Sequence, residues 1–190
     1  MLCTANIARS PLLAELLRAA AKRRGQGEAV IASAGVDANV GEPAATGSER
    51  VAQSLGLSLD AHRSMPVMMV GAAGASLVIV MERAHRTDVG RRYPELRERT
   101  FTLRELLVLL ERAVEAGALA RAVEATAPGS LERLRAVAAT AHDHRPVRGR
   151  RRLDVPDPIR ADQAAYDAMG EEFGQACKVL ADVLFGPEGP

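Results

Sequence analysis

An α/β fold, with a doubly wound sheet of four parallel strands and helices on both faces, is predicted by three observations. Short apolar runs at residues 29–34, 77–81 and 99–103 alternate with helix-period stretches at 10–24, 43–55 and 82–89. The first eleven residues form a turn-prone loop directly before a helix, which is how such sheets build a site at the carboxyl ends of their strands. A chain of 190 residues that is 47% hydrophobic and 26% charged, with net charge +1, has the composition of one globular domain with a sizeable core.

The elements follow in order. Ser10 and Pro11 read as N-cap and first helical residue; Leu12, Leu13, Leu16, Leu17 and Ala20 recur at helical spacing over 10–24, and Gly25 ends the helix. Ala29–Ala34, followed by Gly35, reads as a strand buried on both faces. Residues 43–55 read as a helix with Val51 and Leu55 inward and Gly56 closing it. Residues 65–73 suggest a short helix whose methionines fill core gaps. Leu77–Met81 is a strand, Glu82–Val89 a helix with His85 facing solvent, and Arg99–Leu103 a fourth strand by its alternation. From Arg104 to Ala141 the pattern is helical, with Leu106, Leu107, Leu110 and Val114 in one stripe and Leu131, Leu134 and Val137 in another, separated by Pro128-Gly129. The run Arg145–Arg152 is strongly basic and reads as a solvated loop, or more sharply as a positive rim for anionic partners. Asp162–Phe185 is an amphipathic helix with Phe173, Cys177, Leu180 and Leu184 on one face.

The chemistry concentrates at the start. Cys3 and Arg9 bracket five residues, Thr4, Ala5, Asn6, Ile7 and Ala8, enough to curl backbone N–H groups around one oxyanion, and the helix that follows adds its positive N-terminus. Asn6 suits a left-handed position in that loop. Arg9 offers a planar fork for a transferring phosphoryl group, and Ser10 can donate to a sulfur leaving group. A second constellation, Asp154-Val155-Pro156-Asp157-Pro158, holds a carboxyl on a proline-stiffened turn, as a general acid for such a site requires.

Through Cys3, Asn6, Ile7, Arg9, Ser10 and Pro11 the opening resembles the Cys-x5-Arg-Ser-Pro signature of the low-molecular-weight protein tyrosine phosphatase family. Two residues depart from it: Ala5 stands where the family usually has glycine, and Ala8 where many relatives carry a second cysteine that captures an oxidised nucleophile. The resemblance continues at Ser33-Ala34-Gly35 and Asn39-Val40-Gly41, which in the family help brace the loop, and at His62, a structural histidine bonded to it. Asp157-Pro158 matches the family's Asp-Pro pair ahead of the last helix, followed here by Ile159 and Arg160 where aromatic residues commonly stand.

The resemblance implies one phosphatase-like domain over residues 1–190. It hydrolyses phosphomonoesters through a cysteinyl-phosphate, with Cys3 as nucleophile, Arg9 and the loop Thr4–Ser10 as phosphate binders, Asp157 as acid then base, and Ser33, Asn39 and His62 in support. No metal and no cofactor are implied. The partner implied is a phosphorylated protein or a small phosphomonoester; phosphotyrosine is the favoured substrate and a protein-arginine phosphatase the alternative, Ile7 leaning toward tyrosine because the arginine-phosphatase branch tends to carry threonine there. A thioredoxin-coupled arsenate reductase shares the fold but needs further cysteines on mobile segments, and Cys177 falls on a buried helix face. A non-catalytic phosphate- or nucleic-acid-binding module using Arg145–Arg152 is the remaining alternative. With 24 acidic residues against 25 basic ones global charge names no partner, and the expectation is against nucleic acid. Two cysteines and no long apolar run point to a reducing cytoplasm and no membrane span, and the oligomeric state is left open.

The family has a much shorter connection where 104–141 stands, so that stretch reads as a helical insertion forming a lid or a dimer surface. In the strand–loop–helix logic of such sheets a strand feeds the loop, yet only Met1 and Leu2 precede Cys3, so the first strand is largely missing from the chain. The expectation is an upstream apolar run of roughly five to eight residues.

Overall fold

The computed structural model describes residues 1–146 and 153–189. Its sheet consists of four parallel strands, β1 (Leu2–Cys3), β2 (Ala34–Gly35), β3 (Val78–Val80) and β4 (Thr100–Thr102), in the order β2-β1-β3-β4. Strand β1, the shortest together with β2, is interior and delivers Cys3 to the carboxyl edge of the sheet. The helices are α1 (Arg9–Arg23), α2 (Thr46–Ser54), α3 (Arg83–Arg92), α4 (Leu103–Glu115), α5 (Ala118–Glu124), α6 (Leu131–Asp143) and α7 (Gln163–Phe185).

Strand alternation divides the core into two layers. Cys3, Ile79 and Phe101 face a cluster with Leu12, Leu13 and Leu17 of α1, Leu106 and Leu110 of α4, Val137 of α6, and Phe173 and Leu180 of α7. Leu2, Val78 and Val80 face the opposite way, onto Val67, Val89 of α3 and Leu96. Residues 104–141 therefore bury their apolar faces in the same cluster as the sheet and the C-terminal helix. Helix α4 starts with a capping box, in which Thr102 accepts from the Glu105 N–H and Glu105 accepts from the Thr102 N–H. Helix α7 is capped by Asp162. Among the described residues no helix is long and apolar enough to cross a membrane.

Several expectations need correction. Helix α1 begins at Arg9 with Ala8 as N-cap, because the Ser10 hydroxyl is drawn to Cys3 and Asn6 instead of capping, and Pro11 occupies the third helical position, where its missing N–H is still harmless. The run 29–34 is strand only at its end: β1 pairs with it at Ala34 and Gly35 alone, so Val30 lies 94% exposed beside a groove of about 660 Å³. Helix α2 starts later than position 43 because Ala45 is extended and gives its N–H to Ile7; Leu55, past the helix end, is half exposed. Residues 65–73 hold 3-10 turns at Val67–Met69 and Ala72–Gly74, with Val67 inward and Met68 and Met69 outward, because a tight turn presents one buried position and not a helical stripe. On α4 the buried stripe is Leu103, Leu106, Leu109, Leu110 and Ala113, leaving Val114 exposed, and on α6 Leu131 is exposed at the first turn.

Most of the basic run, residues 147–152, lies outside the described residues. Arg145 is described and turns inward: its guanidinium sits 4.4 Å from the Phe101 ring centroid and donates to Glu105 and to the Thr100 carbonyl. It is an interior strut, not part of a docking rim.

Candidate active site

The loop between β1 and α1 is held from outside by its carbonyls. Those of Cys3 and Thr4 accept from Val36 and Asp37 N–H, that of Asn6 from His62 Nε2 at 2.7 Å, that of Ile7 from Ala45 N–H, and that of Ala8 from the Ser48 hydroxyl. In a trans peptide the N–H points opposite to the C=O, so the amides paired with these carbonyls turn into the concavity of the loop. The result is a nest of donors next to the positive end of α1. Cys3 lies at its base, 2% exposed, with Sγ 3.1 Å from Ser10 Oγ.

Asn6 is the internal brace. It is fully buried with φ +58°, a left-handed conformation an amide side chain tolerates, and its Nδ2 donates to Ser10 Oγ at 2.9 Å and Ser33 Oγ at 3.0 Å while Oδ1 accepts from the Met65 N–H at 3.0 Å. Gly35, at the end of β2, is required by proximity: a Cβ there would stand 2.3 Å from the Thr4 carbonyl oxygen. Ser33 and His62 therefore touch the loop. Asn39 does not: its exposed side chain donates to Glu42, while its carbonyl accepts from the hydroxyl of Ser64, the residue before the Met65 whose N–H bonds Asn6.

Arg9, 1% exposed, is clasped by two carboxylates. Its Nη1 donates to Glu82 Oε1 at 2.6 Å and to the Val155 carbonyl, and its Nη2 to Asp157 Oδ2 at 2.5 Å. Buried Nε has no hydrogen-bond partner among the described residues and remains a donor for an anion. Asp157, distant in sequence, thus meets Arg9 of the loop that carries Cys3 at one edge of the sheet.

The segment carrying Asp157 is anchored at several points. Val155 N–H bonds the Met81 carbonyl, Arg104 donates to the Asp154 carbonyl while forking onto Glu172, and Asp154 accepts from the first N–H of α3 at Arg83. Burial alone would raise the Asp154 carboxyl, but the backbone and side chain of Arg83 outweigh it and hold the group below the usual carboxylate range. Asp157 itself is partly exposed, with Oδ1 accepting from the Ile159 N–H.

His85 corrects the sequence reading. It is 4% exposed, and its Nε2 lies 3.0 Å from Thr4 Oγ1 and 3.8 Å from Glu82 Oε1, because the first turn of α3 passes over the loop and turns its third residue inward. Burial pushes both His85 and His62 below the ordinary imidazole value. Neither Glu82 nor Asp154 was singled out from the sequence as touching Arg9 or α3. The available signal was a carboxylate directly after an apolar strand, at the edge where α/β sheets gather ligands.

Among proteins of known kind, a protein-arginine-phosphatase of Geobacillus stearothermophilus is 31% identical over 105 residues, 55% of this chain and 68% of that protein. The low molecular weight protein-tyrosine-phosphatase Etp of Escherichia coli K12 is 36% identical over 100 residues, 53% of this chain and 64% of its own length. The solved tyrosine phosphatase Wzb of Escherichia coli K30, in complex with sulphate, superposes with a TM-score of 0.63 at 26% identity, covering 95% of this chain and 93% of that one. A low molecular weight protein tyrosine phosphatase from T. tengcongensis shares the fold with a TM-score of 0.67 at 23% identity, over 95% of each chain. Residues 1–114 match the family model described as low molecular weight phosphotyrosine protein phosphatase, and the chain belongs to that family.

Proposed function

We propose that the protein hydrolyses phosphomonoesters on phosphorylated proteins through a cysteinyl-phosphate intermediate. The observation that carries this reading is the meeting of three groups: a buried cysteine in a cradle of inward amides, an arginine whose Nε has no partner among the described residues, and a carboxylate on that arginine. In the first step the Cys3 thiolate attacks phosphorus while Asp157 gives its proton to the departing ester oxygen. The developing charge on the equatorial oxygens falls on the loop amides and Arg9. In the second step a water attacks the same phosphorus, Asp157 takes its proton, and the P–S bond breaks with the Ser10 hydroxyl, 3.1 Å away, donating to the leaving thiolate. Phosphate is released and every proton is accounted for. A thiol nucleophile of this kind suits a reducing cytoplasm.

Phosphotyrosine is the first substrate to test, since Ile7 rather than threonine lines the loop. One observation favours phosphoarginine as a second reading. Phe101, Phe173, Phe185 and Tyr166 are buried in the core and Tyr93 packs with the opposite cluster, while the exposed residue whose N–H bonds the Asp157 carboxylate is the aliphatic Ile159.

The test is turnover of an aryl phosphate in a chelator, beside phosphotyrosine and phosphoarginine peptides. Cys3→Ser should abolish hydrolysis and still bind phosphate. Turnover that survives this change would overturn the mechanism.

A further inference from the structure

Thr4, Arg9, Glu82 and His85 form a closed ring beside the loop. Arg9 Nη1 reaches Glu82 Oε1 at 2.6 Å, Glu82 Oε1 stands 3.8 Å from His85 Nε2, His85 Nε2 is 3.0 Å from Thr4 Oγ1, and Thr4 Oγ1 is 3.4 Å from Arg9 Nη2. The tautomer follows from electrostatics. A carboxylate on the Nε2 side favours the hydrogen there, and the buried Nδ1, with no partner among the described residues, is better left without one, because a buried N–H lacking an acceptor is rarer and costlier. Burial keeps the ring neutral at ordinary pH, although Glu82, Asp157 and Asp154 pull the other way and Arg9 assists. His85 Nε2 is therefore the donor and Thr4 Oγ1 the acceptor.

With His85 and Arg9 both donating to it, the Thr4 oxygen has both lone pairs engaged, so its own hydroxyl proton is what remains to give away. Thr4 follows Cys3 directly, in the stretch whose amides turn inward. We propose that His85 is a positioning residue that, by donating to Thr4 Oγ1 and sharing Glu82 with Arg9, fixes the Thr4 hydroxyl as a side-chain donor to the phosphoryl group held in the loop. This rests on the hydrolase reading above. It assigns Thr4 a role for its side chain as well as its backbone, and it assigns α3 a part in setting the geometry of the loop.

The experiment compares four folded proteins with wild type: Thr4→Val, His85→Leu, His85→Gln and the double variant His85→Leu/Thr4→Val. Circular dichroism and melting establish that each is folded. The readouts are kcat and KM on an aryl phosphate and the dissociation constant of inorganic phosphate by calorimetry. Losing one hydrogen bond to a charged group predicts that Thr4→Val loses about ten- to a hundredfold in kcat/KM and binds phosphate more weakly. His85→Leu should lose a similar factor, the double variant no more than the larger single loss, and His85→Gln, whose amide can donate from near the Nε2 position, should recover to within about threefold of wild type.

Losses that multiply in the double variant overturn the coupling. A His85→Gln protein that is folded but as poor as His85→Leu overturns the donor role. Unchanged phosphate affinity in Thr4→Val overturns the hydroxyl contact. If wild type turns over no aryl phosphate, the hydrolase reading fails, and the phosphate affinities of the same proteins still decide whether the Thr4 hydroxyl binds the anion.

Discussion

Replacing Asn6 by alanine should both destabilise the protein and dismantle the loop. The side chain is fully buried and makes three hydrogen bonds, to Ser10, Ser33 and the Met65 N–H, across three separate segments. At about 0.5–1.5 kcal/mol each they total about 1.5–4.5 kcal/mol. Alanine at φ +58° adds about 1–2 kcal/mol of left-handed strain. The expected loss is about 3–6 kcal/mol, a large share of a stability that for a domain of this kind is about 5–15 kcal/mol. Urea unfolding with an unchanged slope measures it. Asn6→Gly separates the two contributions, because glycine relieves the strain and restores none of the hydrogen bonds; it should recover about 1 kcal/mol over alanine. Both variants should lose about a hundredfold or more in kcat/KM on an aryl phosphate, since a loop displaced by an ångström no longer presents its amides. A loss under about 1 kcal/mol, or glycine no better than alanine, would refute the energetic reasoning. Destabilisation with activity intact would show that Asn6 holds the fold but not the cradle.

Three further outcomes are expected. Asp157→Asn should lower kcat on phosphotyrosine by about 10²–10⁴ and much less on an aryl phosphate with an acidic phenol, since only the poor leaving group needs the proton; equal losses would assign Asp157 the task of holding Arg9. Peroxide should inactivate the enzyme so that dithiothreitol does not restore it, because Ala8 supplies no neighbouring thiol and Cys177, 5% exposed with its thiol pushed up to about 11 by burial, is a poor partner; mass spectrometry should find sulfinic acid on Cys3, and full recovery by thiol would contradict this. His62 and His85 lie below the ordinary value of 6.5, chiefly through burial, so the unfolded chain binds more protons than the folded one as pH drops through that value. Their contribution makes stability fall below about pH 6.5 and stay level above it, and melts between about pH 8 and about pH 5 should show a shallower acid decline in a His62→Asn/His85→Gln variant.

The parts of the site carried by local chemistry were legible in the sequence, and those that depend on which way a face turns were not. A nucleophile, an arginine and a helix start at fixed spacing define a loop without knowledge of the rest of the chain. Ser33 and Gly35 were legible only through the resemblance to the family's Ser-Ala-Gly, and Asp157 through its Asp-Pro pair, since the apolar run and the proline turn by themselves are ordinary turn chemistry. His85 was misread because Glu82–Val89 offers only Ala84 and Val89 as apolar markers, on different faces, so periodicity did not show which side faced the loop. Asn39 and Asn6 are the same residue type in turn-prone settings, and only the tertiary fold distinguishes the one that enters the loop from the one that reaches Glu42. Residues 29–33 were read as strand from composition, but a strand exists only where a neighbour accepts its ladder, and β1 reaches no further than Ala34 and Gly35.

The same contrast explains how the site is held. Beside the side-chain brace of Asn6, five carbonyls of the loop are taken by donors from other elements: the residues after β2, the segment leading into α2, His62 and Ser48. Backbone contacts depend little on side-chain identity, so a cradle built this way tolerates Ala5 and Ala8 at positions where relatives carry other residues. Arg9 is held differently, by the side chains of Glu82 and Asp157 and by the Val155 carbonyl, from segments that approach only when β3, α3 and the 153–158 turn are packed together. The anion cradle therefore depends on the β1–α1–β2 unit, whereas alignment of the guanidinium with the acid depends on the second half of the sheet. Changes in that second half, such as loss of the Arg104–Glu172 fork that supports Asp154, should spare phosphate binding by the amides and impair proton transfer.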